Sequence, residues 1–180
     1  MDDTSMTKLV FYASTGGNAE AAAKYIASKI EGEAVPIDMA SKADLGSADT
    51  VVFGSRVHVG SIHKSITEFI AENKEALGSK KQAYFLTCMY KGEKGDSQCA
   101  KVGQQLGIGT GAYFNGIKKK IKAGETSELD AFIDRINAAE PGPEPQEFEA
   151  EDPEEPTEEE PAEETADAAS DEQEESEKTE

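Results

Sequence analysis

The strongest constraint on the fold is a strand, a glycine-containing loop and a helix that follow one another between Lys8 and Ile30. Lys8–Ala13 is a short, continuous apolar run, which is typical of a strand buried on both faces of a sheet. From Asn18 onward, apolar residues recur at helical spacing, and Gly32 is a suitable stop. The order predicts a central strand that leads into a helix through a tight loop.

The same alternation continues along the chain. Further strands are predicted at Glu33–Ile37, Thr50–Gly54, Gln82–Thr87 and, as a candidate fifth strand, within the glycine-rich Leu106–Phe114. Helices are predicted from Ile62 to a stop at Gly78, at Ser97–Leu106, and around Leu129–Ile136. Regular alternation of this kind indicates a parallel sheet with right-handed crossovers and helices on both faces.

Ligands of such sheets bind where the strands end. This rule selects the loops at residues 14–19, 55–61 and 88–97. In the first loop, free N–H groups and the positive end of the helix dipole suit a phosphate, and Gly16 and Gly17 let the backbone approach an anion. The loop contains no lysine, so it is not a nucleotide-hydrolysing loop.

The segment VFYASTGGNAEAAAKYI is similar to the N-terminal signature of the flavodoxin family. The resemblance implies a three-layer α/β sandwich with a five-stranded parallel sheet of order 2-1-3-4-5, and FMN as the cofactor. It places the FMN phosphate on Ser14, Thr15, Gly16, Gly17, Asn18 and Ala19. Gly16 and Ala19 stand where the family usually has threonine, so two hydroxyl donors are missing and weaker FMN binding is expected.

The other two loops extend the resemblance. GSRVHVGSIHKSITEFI looks like the stretch that lines the flavin ring in the subgroup with the bacterial flavodoxin-type protoporphyrinogen oxidase. The resemblance implies ring contacts from Ser55, Arg56, Val57, His58, Val59 and Gly60 in the second loop, and from Thr87, Cys88, Met89 and Tyr90 in the third. Arg56 and His58 are the preferred contacts, and Tyr90 is either a stacking aromatic or a surface side chain.

The second loop contains no carboxylate, whereas Arg56, His58, His63 and Lys64 all lie in or beside it. Electron-transfer flavodoxins tend to surround the flavin with carboxylates, which disfavour the anionic reduced ring. We therefore expect a flavin that is less reducing than a flavodoxin's. The alternative reading is an exposed arginine and two solvated histidines.

The net charge of −19 belongs to the C-terminal part of the chain. Residues 1–139 contain 17 acidic and 17 basic residues, whereas residues 140–180 contain 20 acidic residues and one base. The second segment also holds six of the seven prolines and one aromatic residue, so it cannot bury enough apolar surface to fold. We predict a flavin-binding domain at residues 1–139 and a disordered acidic tail at residues 140–180, read as solubilising.

Other features exclude several classes of protein. No apolar run is long enough for a signal peptide or a transmembrane segment, and we expect a soluble, cytoplasmic protein without a nucleic-acid partner. Cys88 and Cys99 are interpreted as reduced thiols, and a metal centre is not expected. The lysines at positions 118, 119, 120 and 122 are interpreted as a solvated loop.

The leading functional hypothesis is an FMN-dependent redox protein without catalytic side chains, which transfers electrons between partner proteins or to a small planar organic substrate. One alternative is an FMN oxidoreductase of the protoporphyrinogen oxidase kind. The other is a flavin-free flavodoxin-fold binding module whose acidic tail makes the interaction. The sequence leaves the partner, the substrate and the oligomeric state open.

Overall fold

A computed structural model describes residues 7–14, 16–58 and 60–141. The strands are β1 Thr7–Tyr12, β2 Glu33–Pro36, β3 Ala48–Arg56, β4 Lys81–Thr87 and β5 Gly111–Phe114. The helices are α1 Asn18–Ile30, α2 Lys42–Ser47, α3 Lys64–Glu72, α4 Lys74–Gly78, α5 Glu93–Leu106, α6 Ile117–Ala123 and α7 Ser127–Ala138. A short 3-10 turn at Ile37–Met39 follows β2.

The strands form one parallel sheet in the order β2-β1-β3-β4-β5, as predicted. The strand order reverses between β1 and β3, because β2 lies outside β1 while the later strands add on the other side. In sheets of this kind the ligand crevice lies at that reversal, beyond the carboxyl ends of the strands. The fold is therefore the predicted flavodoxin-like α/β arrangement.

Two hydrophobic cores cover the two faces of the sheet, because side chains alternate along each buried strand. One face carries Val10, Val52 and Phe85 and packs against apolar residues of α1 and α7. The other face carries Phe11 and Phe53 and packs against residues of α2 to α5. Helices on both faces explain why β1 and β3 read as continuous apolar runs rather than alternating ones.

The long helix predicted between Ile62 and Gly78 is wrong in one respect, because the structure divides it at Asn73. The Asn73 side chain donates to the carbonyl oxygen of Phe69 over 2.8 Å and thereby competes with the helical ladder. Ile62 is buried but precedes the helix, which begins at Lys64. The apolar spacing predicts the buried face of both helices, but it carries no signal for the polar residue that divides them.

A second prediction is also corrected. The lysines at positions 118, 119, 120 and 122 lie on helix α6 rather than in a loop. Ile117 is buried and Ile121 is half-buried against the same core, so an apolar pair four residues apart anchors this helix. Helix α5 begins at Glu93, four residues before the predicted start.

The predicted acidic tail lies outside the described residues except for Glu140 and Pro141, and the last helix ends at Ala138. Within the described part of the chain, no helix is both long enough and apolar enough to cross a membrane.

Candidate functional site

The loops that follow β1, β3, β4 and β5 surround one cleft with a volume of about 620 Å³. The cleft lies at the carboxyl ends of the strands, where the topology predicts a ligand. Its walls include Ser14, Gly17, Asn18, Ala19, Arg56, Val57, Gly60, Thr87, Cys88, Met89, Tyr90, Asn115 and Gly116. The three predicted loops are therefore brought together, and a fourth segment, Asn115–Gly116, joins them.

The first loop turns through two residues with positive φ. Ser14 has a φ of 80°, a conformation that costs a non-glycine residue about 1–3 kcal/mol. Gly16 has a φ of 76°, which glycine adopts without that cost. Gly17 caps α1 without a side chain, so the first amide N–H groups of α1 have no acceptor within the helix. These N–H groups border the cleft and can bind an anion.

A carboxylate and an ammonium group meet at this loop. The side chain of Glu20 turns back and accepts a hydrogen bond from the N–H of Gly16. The ammonium of Lys118, on α6, donates to the carbonyl oxygen of Gly16 over 2.9 Å. The backbone N–H of Lys118 donates to Oδ1 of Asn18 over 3.0 Å. The start of α6 is thus fastened to the predicted phosphate loop.

The second loop is held by Ser55, which is buried. Its hydroxyl donates to the carbonyl oxygen of Arg56 and accepts from the N–H of His63, each over 3.0 Å. His58 and Ser61 exchange two backbone hydrogen bonds of 2.9 and 3.1 Å, which close a tight turn. The buried Ser55 side chain therefore holds the second loop in position. His58 is exposed but does not line the cleft.

The tip of the second loop is anchored to α5. The side-chain amide of Gln98 donates to the carbonyl oxygen of Gly60 over 2.8 Å, and Gly60 has a φ of 80°. The N–H of Val57 donates to the carbonyl oxygen of Thr87 over 3.0 Å, which joins the second loop to the third. Gln98 and Thr87 thus hold in place the wall of the cleft that Arg56, Val57 and Gly60 form.

The third loop is fixed by Asn115, which follows β5. The side-chain amide of Asn115 donates to the carbonyl oxygens of Cys88 over 2.6 Å and of Tyr90 over 2.8 Å. The backbone N–H of Cys88 donates to the carbonyl oxygen of Phe114 over 3.2 Å. Both backbone polar groups of Met89 and the N–H of Tyr90 have no hydrogen-bond partner among the described residues and border the cleft.

Both cysteines are free thiols. Burial raises the pKa of the Cys88 thiol, and burial also raises that of Cys99, so both are protonated at neutral pH. Cys99 lies 3.6 Å from the hydroxyl of Tyr84, away from the cleft walls. Only Cys88 lines the cleft, and its raised pKa makes it a poor nucleophile.

Arg56 is the only formally charged side chain among the described residues that line the cleft. It is exposed at the end of β3, and no carboxylate is found among those lining residues. Met89 is 91% exposed and Tyr90 is 50% exposed at the rim. The cleft therefore combines a positive charge, neutral polar groups and an exposed thioether and aromatic ring.

Of the sixteen residues predicted for the site, eleven line the cleft. Gly16 contributes its backbone to the hydrogen bonds with Glu20 and Lys118, while Ser55 and His58 stand outside the walls. Thr15 and Val59 lie outside the described residues. Whether each of these residues contacts a cofactor stays a prediction.

Five residues at or beside the cleft are not among those predicted from the sequence: Asn115, Gly116, Lys118, Glu20 and Gln98. Asn115–Gly116 carried a usable signal, since an Asn-Gly pair directly after a candidate strand marks a loop at the same edge of the sheet. The contacts of Lys118 had no such signal, because they depend on how α6 packs beside α1, about 100 residues earlier. Glu20 was overlooked because a glutamate in the first turn of a helix is ordinary.

The fold and this cleft define a doubly wound α/β protein with an open cleft at the carboxyl edge of its sheet. Residues 9–126 match the family described as "Flavodoxin domain", and the chain belongs to that family. None of the curated proteins compared with the chain matches it.

Three solved structures with this fold match a similar share of this chain. The two-electron reduced flavodoxin of Megasphaera elsdenii is 21% identical with a TM-score of 0.53, covering 72% of this chain and 99% of its own. The oxidised flavodoxin 1 of Bacillus cereus is 22% identical with a TM-score of 0.51, covering 73% and 95%. A WrbA-like flavodoxin of Agrobacterium tumefaciens is 17% identical with a TM-score of 0.53, covering 74% and 98%. At these identities the likeness concerns the fold.

Proposed function

We propose that this chain binds FMN in the cleft and works as a redox protein that carries electrons between partners or to a small organic substrate. The observation that carries the proposal is the convergence of four loops on one cleft. Among the described residues, the first N–H groups of α1 are unpaired at one end, and both backbone groups of Met89 and the N–H of Tyr90 are unpaired at the other. A phosphate needs the first set of donors. The edge of a flavin ring needs the second.

The residues present fit the phosphate end of FMN. Gly16 and Gly17 have no atom within 4 Å of the place where a Cβ would stand, so the backbone there is open to a ligand. The N–H groups of Asn18 and Ala19, at the start of α1, supply donors. Gly16 and Ala19 carry no hydroxyl, whereas the hydroxyl side chain of Ser14 lines the cleft and is the remaining side-chain donor of this kind among the described residues of the loop.

The residues also fit the ring end. Arg56, Val57 and Gly60 form one wall, and Thr87 to Tyr90 form the other. The backbone of Met89 offers a donor and an acceptor, and Tyr90 offers an aromatic face at the rim. Bound FMN would supply reversible acceptance and release of electrons, and the chain would supply orientation and electrostatics.

Arg56 sets the electrostatics of the proposed site. A positive side chain beside the ring favours the added negative charge of the reduced cofactor. With no carboxylate among the described lining residues, nothing there opposes this effect. We expect a flavin that is less reducing than one surrounded by carboxylates.

The exposure of the rim favours a protein partner. Met89 and Tyr90 stand out at 91% and 50% exposure beside the cleft, where a docking partner would approach the ring edge. A long, enclosed tunnel for a substrate is not needed for transfer of this kind.

A protoporphyrinogen oxidase-like activity is a second candidate, and Arg56 is the observation that favours it. Porphyrin precursors carry carboxylates, and an exposed arginine at the mouth of the cleft is a suitable partner for a carboxylate. The test is oxidation of protoporphyrinogen by the flavin-loaded protein compared with its Arg56→Gln variant. No oxidation above the rate without protein contradicts this candidate, and equal rates above that background contradict the role of Arg56 in it.

A flavin-free binding module is the third candidate, and Glu20 is the observation that favours it. Its carboxylate already satisfies one donor of the predicted phosphate loop. A loop that satisfies itself in this way could have lost its ligand.

One experiment separates FMN binding from the flavin-free module. The full 180-residue chain is purified, its visible absorption is recorded, and any cofactor released by denaturation is identified by mass spectrometry. A colourless preparation is then titrated with FMN and followed by flavin fluorescence. Yellow protein that releases FMN, or saturable quenching at one site, supports the proposal. Colourless protein that does not respond to FMN supports the flavin-free module and overturns the proposal that the chain binds FMN.

A further inference from the structure

Lys118 is the only lysine or arginine among the described residues whose side chain is hydrogen-bonded to the predicted phosphate loop. Its ammonium lies 2.9 Å from the carbonyl oxygen of Gly16, and its own N–H holds Oδ1 of Asn18 at 3.0 Å. The second contact fixes the backbone of Lys118 against the loop. The ammonium is therefore held close to the start of α1 rather than free in solvent.

Glu20 is the anion that faces the same loop. Its Oε2 accepts the N–H of Gly16, and its Oε1 lies 2.5 Å from the ammonium of Lys24. Lys24 first, and then the Gly16 amide, hold the pKa of the Glu20 carboxyl below its ordinary value, so Glu20 is ionised at neutral pH. A negative group thus already occupies a donor that a phosphate would use.

We infer that Lys118 is a phosphate-binding residue of this site, which makes the site prefer a flavin monophosphate to unphosphorylated riboflavin, and that Glu20 competes with the phosphate for Gly16. This inference rests on the proposed binding of FMN. Lys118 supplies in one ammonium the positive charge that the loop itself lacks. Glu20 gives up the Gly16 N–H when the phosphate enters.

The neighbouring lysines do not share the position of Lys118. Lys120 is paired with Glu128 over 2.6 Å, on the side of α6 that faces α7. Lys119 is exposed and makes no ion pair within the described part of the chain. Lys119→Ala therefore removes the same charge from the same helix without touching the loop, and it is the matched control.

The positive charge of Lys118 also explains how the loop could bind a phosphate without the two threonine hydroxyls that the family usually has at positions 16 and 19. Gly16 and Ala19 offer no side-chain donor, whereas an ammonium can approach any phosphate oxygen. An ion–phosphate contact at a partly exposed edge is worth as much as a good hydrogen bond to a charged group. The loop thus exchanges local hydroxyls for a cation from a distant helix.

The test compares dissociation constants for FMN and riboflavin, measured by flavin fluorescence in wild type and in the variants Lys118→Ala, Lys118→Arg, Lys119→Ala and Glu20→Gln. Riboflavin lacks the phosphate, so the riboflavin-to-FMN ratio isolates the phosphate end. Lys118→Ala should lower this ratio by about tenfold. Lys118→Arg should restore most of it, and Lys119→Ala should leave it within about twofold of wild type.

Glu20→Gln should raise the ratio by about two- to fivefold, because a competing charge is removed. Its matched control is Glu33→Gln, the same change at the first residue of β2, where the strand begins, whereas the cleft lies where the strands end. FMN binding by wild type should also weaken with added salt more steeply than binding by Lys118→Ala. Far-ultraviolet circular dichroism and thermal unfolding check that each variant is folded.

An unchanged ratio in folded Lys118→Ala, or an equal fall in Lys119→Ala, overturns the role of Lys118 while leaving FMN binding intact. A ratio that falls in Glu20→Gln overturns the competition and makes Glu20 a support of the loop. If wild type binds riboflavin as tightly as FMN, no phosphate site exists and the inference fails. If wild type binds neither flavin, the proposed function fails with it.

Discussion

The side-chain amide of Asn115 lies 2.6 Å from the carbonyl oxygen of Cys88 and joins the loop after β5 to the loop after β4. The same amide reaches the carbonyl oxygen of Tyr90 over 2.8 Å. One side chain therefore uses both of its N–H groups on a single loop. Those two carbonyls are therefore satisfied, whereas both backbone polar groups of Met89 and the N–H of Tyr90 stay unpaired among the described residues.

Replacing Asn115 with alanine should loosen the third loop without unfolding the chain. The variant leaves two carbonyl oxygens without their donor, which should cost about 1–2 kcal/mol of the free energy of unfolding. A loop that must be ordered on binding should weaken FMN by about three- to tenfold. Urea unfolding and FMN titration measure the two effects.

Asn137→Ala is the control for this prediction. Asn137 is exposed on the last turn of α7, far along the chain from the cleft-lining segments. It should leave FMN affinity unchanged. If Asn115→Ala behaves like Asn137→Ala in both measurements, Asn115 does not organise the site.

Replacing Arg56 with glutamine should make the bound flavin more reducing. Arg56 is the only charge among the described lining residues, and its removal withdraws a group that favours the reduced cofactor. The midpoint potential should fall by on the order of tens of millivolts. Reduction by a dye of known potential, followed by absorbance, gives the value.

Lys64→Gln is the matched control for charge near the second loop. Lys64 begins α3, its side chain is 84% exposed, and it pairs with Glu68 over 3.0 Å. The potential should shift much less than in Arg56→Gln. An unchanged potential, or a shift equal to that of Lys64→Gln, would show that the Arg56 charge does not act on the ring, and a rise would contradict the predicted direction.

The fold could be predicted because its signals are local. The apolar run of β1, the loop that follows and the helical spacing of α1 lie within about 25 consecutive residues, and they sufficed for the sheet and its order once the resemblance was added. The break at Asn73 escaped because a side chain, not a gap in the apolar pattern, ends α3. Polar capping of this kind is visible only when each asparagine is considered as a possible end.

The site could be predicted only in part. The loops that line the cleft follow directly from the strand positions, but the hydrogen bonds that hold those loops come from residues far away in the sequence. Eleven predicted residues line the cleft, since loops at one edge of a parallel sheet must converge. Lys118 reaches Gly16 across about 100 residues of sequence, and Gln98 reaches Gly60 across 38. Contacts between elements far apart in sequence depend on helix packing, which spacing does not encode.

Replacing Gly54 with alanine should destabilise the sheet. A Cβ at this position in β3 would lie 2.0 Å from Cζ of Phe85, whose fully buried ring cannot retreat. Overpacking of this kind costs about 1–3 kcal/mol, seen as a lower urea midpoint. Gly46→Ala is the control, because nothing lies within 4 Å of the new Cβ in α2 and the change should be neutral or slightly stabilising. Equal midpoints for the two variants would contradict the close packing of Phe85 on Gly54.

Replacing Tyr84 with phenylalanine should change how stability depends on alkaline pH. The Tyr84 hydroxyl donates to the carbonyl oxygen of Cys99 over 2.8 Å, so its loss should cost about 1 kcal/mol at neutral pH. Burial first, and then the hydrogen bond with Cys99, raise the pKa of Tyr84 well above its ordinary 10.0. The stabilising contribution of a raised pKa is complete below 10.0 and is lost as pH climbs beyond it, because only the unfolded chain then releases the proton.

The deficit of Tyr84→Phe relative to wild type should therefore be constant up to about pH 10 and shrink above it. Burial raises the pKa of the Cys88 thiol in both proteins, so the stability that Cys88 removes above pH 9.0 cancels in the comparison. Cys99 does not cancel, because burial raises the pKa of its thiol but its hydrogen bond with Tyr84 lowers it, and both proteins are therefore compared in a Cys99→Ala background. Urea unfolding at a series of pH values measures the difference. Tyr90→Phe, at a half-exposed tyrosine, should follow wild type throughout. A deficit that stays constant or widens above pH 10 would show that the Tyr84 hydroxyl is not held neutral by the fold.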